Sequence, residues 1–294
     1  MAITLEPLHP LFVAEVGGID LRQPLAPEDR ATLVAAIDRH AVLVFRGQQL
    51  DNAAQVAFAR NFGEIEIPSQ KMRHRDLVAR IKEAEISDIS NLDAENKVLA
   101  RDSRRRMDSL GNLLWHSDAS FRRIPGALSM LFAHVVPAKG GETEFADERA
   151  AYDALEEDTK AQIGPLIAEH SIWHSRAQLG FTDFTEEERA AVPPVRQRVV
   201  RTHPGSGRRT LYVGSHASHV LGMPLPEGRL LLRDLVDHAT QRQFVYRHHW
   251  RVGDLVLWDN RCTMHRGRPF DPAEPRDLRR VTTRDLAPTV EEAA

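Results

Sequence analysis

Apolar residues recur along the chain with two spacings. Between 27 and 39, Leu33, Val34 and Ile37 share one helical face behind Glu28 and Asp29, which predicts a helix from Pro27 to Arg39. Ile3–Pro7, Phe12–Val16 and the apolar run Ala41–Phe45 predict strands. Asp51 stands where an N-cap belongs, ahead of Val56, Ala59 and Phe62, and Gly63 is the stop. From Glu64 to Arg106 charges dominate, with one strand-like run at Ile86–Ile89; a stretch of this length predicts a lid-like segment. Short strands then recur at Leu113–Asp118, Ser129–Val136 and Glu142–Phe145. Asp147 caps a helix near Arg149–Leu155, and Glu156–His170 predicts another. Val199–His203 and Thr210–Val213 flank the turn Pro204-Gly205-Ser206-Gly207 as a hairpin. Pro226–Ala239 predicts a helix, and Gln243–His248, Leu255–Trp258 and Leu278–Arg284 predict strands. Strands crowd the middle and end without alternating regularly with helices. That argues against a doubly wound sheet and for one α+β unit around a β-sandwich or barrel, spanning 1–294 as a single domain.

Composition narrows the function classes. A net charge of -3 gives no global field for nucleic acid or an acidic membrane. No apolar run approaches the roughly 20 residues of a membrane span. The N-terminal residues lack a basic stretch followed by an apolar one, so no signal peptide is expected. Cys262 is the single cysteine, so no internal disulfide is expected either, and the protein is expected to be cytoplasmic. Lysine is scarce, five among 39 basic residues. Arginine grips planar carboxylates in a fork, as lysine does not.

Trp115-His116-Ser117-Asp118 carries the most chemistry. On a strand His116 and Asp118 would project from one face, and an imidazole beside a carboxylate can chelate a divalent ion. A third ligand would make a 2-His-1-carboxylate triad, the donor set of non-haem Fe(II) oxygenases. A second H-x-D, His74-Arg75-Asp76, lies in a charged stretch that reads as a solvated face. His265, after an apolar strand and a polar turn, is one candidate third ligand. His203, His216, His219, His248 and His249 compete with it, and spacing does not choose among them. Arg276, Leu278 and Arg280 share strand parity, so two guanidiniums would face one side.

These segments, with Gly140-Gly141-Glu142-Thr143-Glu144-Phe145-Ala146-Asp147 and Trp258-Asp259-Asn260-Arg261, resemble the taurine dioxygenase family of Fe(II)- and 2-oxoglutarate-dependent dioxygenases. The similarity extends over nearly the whole chain, from Pro7-Leu8-His9-Pro10 through His216-Ala217-Ser218-His219 to Phe244-Val245-Tyr246-Arg247-His248, and is strongest to the herbicide-degrading members. The resemblance implies a double-stranded β-helix (jelly-roll) core with flanking helices. It implies iron on His116, Asp118 and His265, and 2-oxoglutarate on Thr143 and Arg276. It places Arg280 near the C1 carboxylate of 2-oxoglutarate or the acid group of the substrate. Asn112 matches a substrate-side position, and Trp258 an aromatic lining of the iron pocket. Lys71 and Lys97 resemble lid lysines that meet a substrate carboxylate. The implied reaction uses O2 to hydroxylate the ether-adjacent carbon of an aryloxyacetate such as 2,4-dichlorophenoxyacetate. The products are a phenol and glyoxylate, with succinate and CO2. Asp118 sets the chain apart from related halogenases, which lack that carboxylate. Relatives commonly form homo-oligomers. A cationic pocket also suits an alkylsulfonate. A non-redox cupin-like metal protein is the reading from another class, although hydrolysis needs no dicarboxylate clamp such as Thr143 with Arg276.

Overall fold

The computed structural model describes residues 2–67 and 79–291. Its largest element is a seven-stranded sheet. In spatial order the strands are Thr4–Pro7, Ala14–Gly17, Val42–Phe45, Leu255–Asp259, Gly126–Val135, Asp277–Arg284 and Ser87–Ser90. A three-stranded sheet, Val245–His248, Thr143–Asp147 and Thr263–Gly267, lies against it. Another three-stranded sheet, Ala217–Val220, Ile167–His170 and Val195–Arg198, and the hairpin Val200–Thr202 with Arg209–Leu211 complete the strands named.

Period-2 alternation places the core. Leu43, Phe45, Met130, Phe132, Leu255, Leu257 and Val281 pack on one face with Leu33 and Ile37 of the helix Pro27–His40 and Val56 of the helix Asn52–Arg60. Val42, Val44, Leu131, Val256, Trp258 and Leu278 point the other way, onto Phe145 of the facing sheet. That facing sheet alternates too, since Ala146 and Met264 pack into a separate core with Leu232 and Leu235 of the helix Leu225–Ala239. The inner face between the two sheets is where polar residues intrude. No described helix is long and apolar enough to cross a membrane.

Most predicted elements are present within a few residues. Asp51 accepts the Ala54 amide at 2.8 Å as the N-cap, and Asp147 caps the helix Glu148–Asp153. Two assignments are corrected. Leu113–Asp118 is not a strand: a 3-10 turn at Leu110–Leu113 leads into an irregular segment and a turn at Asp118. The polar run supplies its own bonds there, the Asp118 amide donating to Asn260 Oδ1 at 2.9 Å where a ladder carbonyl would stand. Glu156–His170 is helical only over Glu157–Ile163; Gly164 and Pro165 end the helix, and Ile167–His170 is a strand. Part of the charged 64–106 stretch is ordered structure: Ser87–Ser90 pairs with Asp277–Arg280 at the sheet edge, and Arg104–Ser109 is a short helix.

Candidate metal centre and active site

His116 and His265 exchange both backbone hydrogen bonds, at 3.0 and 2.8 Å, as an isolated antiparallel bridge. Residues directly opposite in such a pair carry their side chains on the same face. This bridge, rather than strand parity, brings the two imidazoles together, with ring centroids 4.2 Å apart. The turn after Ser117 then swings Asp118 beneath them, where its Oδ1 lies 3.8 Å from Nε2 of each histidine. Bonds of about 2.1 Å at right angles would set ligand atoms about 3 Å apart, so the carboxylate and each imidazole need close by less than about 1 Å on an ion.

Each donor is oriented by a partner behind it. His116 Nδ1 donates to the Leu114 carbonyl at 2.7 Å, leaving Nε2 as the lone-pair nitrogen. The His265 ring lies 4.7 Å from Trp258 and stacks on Phe145. Asp118 Oδ2 accepts from Ser129 Oγ at 2.7 Å, and Ser129 is held by Asn260 and Thr282. Trp258 Nε1 in turn donates to Asn260. Trp258 and Thr282 flank Ser129 on its two neighbouring strands, so sheet register itself builds this bracket. Burial pulls both histidines below their ordinary range, which keeps them neutral. Burial alone would push the Asp118 carboxyl up, but the Arg280 guanidinium, together with the Ser129 hydroxyl that donates to this carboxyl, holds it below its usual range. One anion and two neutral imidazoles, all buried, fit a divalent ion.

The triad opens into a cavity of about 580 Å³. Leu110, Leu113, Phe121, Leu131, Ile172 and Phe270 give it apolar walls. Arg276 is the informative cation. Its NH1 donates to the Ile89 carbonyl at 3.2 Å, and among the described residues its enclosed Nε has no hydrogen-bond partner and no carboxylate neutralises it. Burial accordingly lowers it to about 10. Gly140 and Gly141 pass close by with φ of 76° and 72°. A Cβ on Gly140 would sit 2.4 Å from the Pro269 carbonyl oxygen. Thr143 follows on the strand they start, and its Oγ1 accepts from Trp250 at 3.0 Å, leaving its own proton to donate. A cation without an anion beside a free hydroxyl proton is a receptor for a carboxylate. Arg280 hydrogen-bonds Asp118 through NH1, and its Nε has no partner among the described residues.

The structure thus gathers His116, Asp118, His265, Thr143, Arg276, Arg280, Asn112 and Trp258 around one cavity. Lys97 is not among the lining residues. It ends an exposed turn whose backbone amides donate to Asp93. Lys71 and the alternative pair His74 and Asp76 lie outside the described residues. Sequence reasoning missed Ser129, and it missed Arg176, which lines the cavity while paired with Asp108 at 2.9 Å. The parity of Ser129 with Leu131 was a usable signal; Arg176 had none. His203 sits instead in a separate buried ion network, 2.9 Å from Asp259, which Arg261 also binds.

A family model described as taurine catabolism dioxygenase TauD, TfdA family matches residues 4–282. The chain is 52% identical to an alpha-ketoglutarate-dependent 2,4-dichlorophenoxyacetate dioxygenase of Cupriavidus pinatubonensis, covering 98% of this chain and 99% of that protein. It is 35% identical to an (S)-phenoxypropionate/alpha-ketoglutarate-dioxygenase of Sphingobium herbicidovorans over 94% of this chain and 92% of that one. Among solved structures, AAD-2 in complex with Mn(II) and N-oxalylglycine superposes with a TM-score of 0.91 at 50% identity. That match covers 99% of this chain and all of that one.

Proposed function

The chain belongs to the taurine catabolism dioxygenase TauD, TfdA family, and from that premise we propose that it is the dioxygenase of an aryloxyacetate such as 2,4-dichlorophenoxyacetate. It is an Fe(II)- and 2-oxoglutarate-dependent dioxygenase. In this reading the facing sheets are the walls of a double-stranded β-helix within a single domain. His116, Asp118 and His265 hold Fe(II). Thr143 and Arg276 bind the distal carboxylate of 2-oxoglutarate, which fixes the cosubstrate before O2 arrives. Bound Fe(II) with 2-oxoglutarate supplies the O2 chemistry that yields succinate and CO2 and hydroxylates the substrate. The protein's part is to position and to exclude water. The Ser129–Asn260 bracket keeps Asp118 aimed and ionised. Arg280 and Asn112 receive the substrate's acid end, while Leu113, Phe121 and Ile172 receive the aromatic ring. The hydroxylated carbon, next to the ether oxygen, collapses to a phenol and glyoxylate.

The observation that carries this reading is the half-buried Arg276, which has no carboxylate partner among the described residues, in the same cavity as the triad. A hydrolytic metal site would have no use for it. The names of the relatives support an aryloxyalkanoate as substrate. The test is a panel of phenoxyacetates and alkylsulfonates scored by substrate-dependent succinate release. Phenoxyacetates should lead; preferential turnover of sulfonates overturns the substrate assignment and leaves the reaction class intact. We also take the protein to be cytoplasmic and a homo-oligomer; size-exclusion with light scattering tests the latter.

A further inference from the structure

Strand geometry does not aim Arg276. It stands one residue ahead of the strand Asp277–Arg284, and the pairing register shifts between Asp277 and Leu278. Its direction is set from the other side, by the short edge strand Ser87–Ser90 and the residue that follows it. Asn91 bonds both backbone groups of Arg276. Its own amide donates to the Arg276 carbonyl at 3.2 Å, and its side-chain Oδ1 accepts the Arg276 amide at 2.8 Å. Its Nδ2 donates to the carbonyls of Pro272 at 3.2 Å and Glu274 at 2.8 Å. Two residues back, the Ile89 carbonyl receives the guanidinium itself.

A carboxamide has one acceptor oxygen and two N–H donors. Here a backbone amide can only donate and two carbonyls can only accept, so the partners fix which way round the Asn91 group lies. A carboxylate in its place would keep the first bond and oppose the other two; an alanine would make none. Charge rivets the same edge strand to the one that Arg276 leads into. Arg80 bridges Asp88 and Asp277 at 2.8 and 2.6 Å, and Arg105 holds Asp88 at 2.8 Å. The Asn91 carbonyl in turn accepts the Leu99 amide at 2.8 Å. The charged 64–106 stretch therefore supplies the bracket for Arg276, and Ile89, Ser90 and Asn91 line the same cavity as the triad. Asn91 is only partly buried, so water can take up the bonds that a truncated side chain leaves, and the fold can persist without it.

We propose that Asn91 is a positioning residue for the cosubstrate: by pinning the loop 272–276 it holds the Arg276 guanidinium where the distal carboxylate of 2-oxoglutarate binds. The bond pattern stands on the geometry alone; the role toward 2-oxoglutarate rests on the proposed function. Without the carboxamide the loop has more than one arrangement and Arg276 meets the carboxylate only part of the time. Apparent affinity then falls by the fraction of time the binding arrangement is populated. The chelating end of the cosubstrate does not reach Arg276 and is indifferent to Asn91.

Calorimetric titration of the Fe(II)-loaded protein without oxygen, with 2-oxoglutarate and with 2-oxopentanoate, tests it. 2-Oxopentanoate keeps the chelating end and has a methyl group in place of the distal carboxylate. The wild type should bind 2-oxoglutarate at least about tenfold more tightly than 2-oxopentanoate. Asn91→Ala should weaken 2-oxoglutarate about tenfold and leave 2-oxopentanoate unchanged. Equal weakening of both, or of neither, overturns the proposal and makes Asn91 a structural residue. Hydrogen exchange of the wild type decides the matter even if the variant does not fold. Backbone amides in 89–92 and 273–277 should slow when 2-oxoglutarate saturates the site and not when 2-oxopentanoate does. Protection by both oxoacids, or by neither, overturns it. A wild type that binds the two oxoacids alike refutes the carboxylate clamp of the proposed function itself. A wild type that discriminates, beside an Asn91→Ala that discriminates equally, refutes this inference alone.

Discussion

Arg276→Met keeps most of the side chain's length and removes its charge, and two consequences of opposite sign follow. The first is loss of the cosubstrate. A charge-assisted, forked contact to a carboxylate is worth about 1.5–3 kcal/mol, so 2-oxoglutarate affinity should fall roughly 10- to 150-fold. The second concerns the free protein. Burial lowers the folded-state guanidinium to about 10, below its unfolded value. A base lowered in this way destabilises the fold at every pH where it is protonated in both states, so at pH 7 the penalty is fully present. It would be relieved only above about 10. Full burial would make that penalty about 3 kcal/mol. Arg276 keeps some solvent contact, and with screening the penalty is about 1–2 kcal/mol. The loss of one hydrogen bond to the Ile89 carbonyl offsets part of it. Metal-free Arg276→Met should therefore melt no lower than the wild type and up to about 5 °C higher. Calorimetric melts with and without 2-oxoglutarate measure both effects. The oxoacid should raise the wild-type Tm and leave that of the variant unmoved. A variant that melts lower and still responds to 2-oxoglutarate would refute the reasoning, and Arg276 would be a structural cation.

Asp118→Ala removes the one anionic donor and should lower Fe(II) affinity by more than about 100-fold, beyond the usual effect of losing an outer partner. Competition with a chelator measures it, and His74→Ala should leave the affinity unchanged. Gly111→Ala would place a Cβ 2.2–2.7 Å from the Arg176 guanidinium. Arg176 should be displaced from the cavity wall and KM for the aryloxyacetate altered, with 2-oxoglutarate KM unaffected; steady-state kinetics in both substrates read the split. Asp259→Asn breaks a buried pair and should cost about 3–5 kcal/mol at pH 7 by denaturant unfolding. Burial would raise that carboxyl, but Arg261 and His203 hold it far below its usual range. Its contribution is therefore present above about pH 4 and fades as acidity grows, so acid should destabilise the wild type more steeply than the variant.

The sheet positions were the most legible part of the chain, because strict alternation leaves one register in which Leu43, Met130, Leu257 and Val281 share a face. Leu278 and Arg280 were legible for the same reason, whereas Arg276 stands just ahead of the strand, before a register shift between Asp277 and Leu278. Strand parity does not bring His116 and Asp118 together. The segment is not a strand, and what unites them with His265 is a two-residue bridge and a turn, neither of which has a periodicity. His265 could not be chosen by spacing because its partner is far away in sequence and the competing histidines are equally polar. Arg176 was invisible for a further reason: it lines the cavity from a short helix, where neighbours in space are not neighbours in any repeat. Lys97 could not be placed from sequence, because a cation in a charged segment has no signature that separates a solvated turn from a binding wall.

The central claim is that oxidation of an aryloxyacetate is tied to oxidation of 2-oxoglutarate at one metal. The direct measurement is a product balance in air with Fe(II), 2-oxoglutarate and 2,4-dichlorophenoxyacetate: dichlorophenol, glyoxylate and succinate quantified in the same reaction. The account predicts that the three appear in equal amounts, and that none forms when 2-oxoglutarate is left out. Phenol released without succinate, or succinate formed at the same rate with and without the aryloxyacetate, would contradict it.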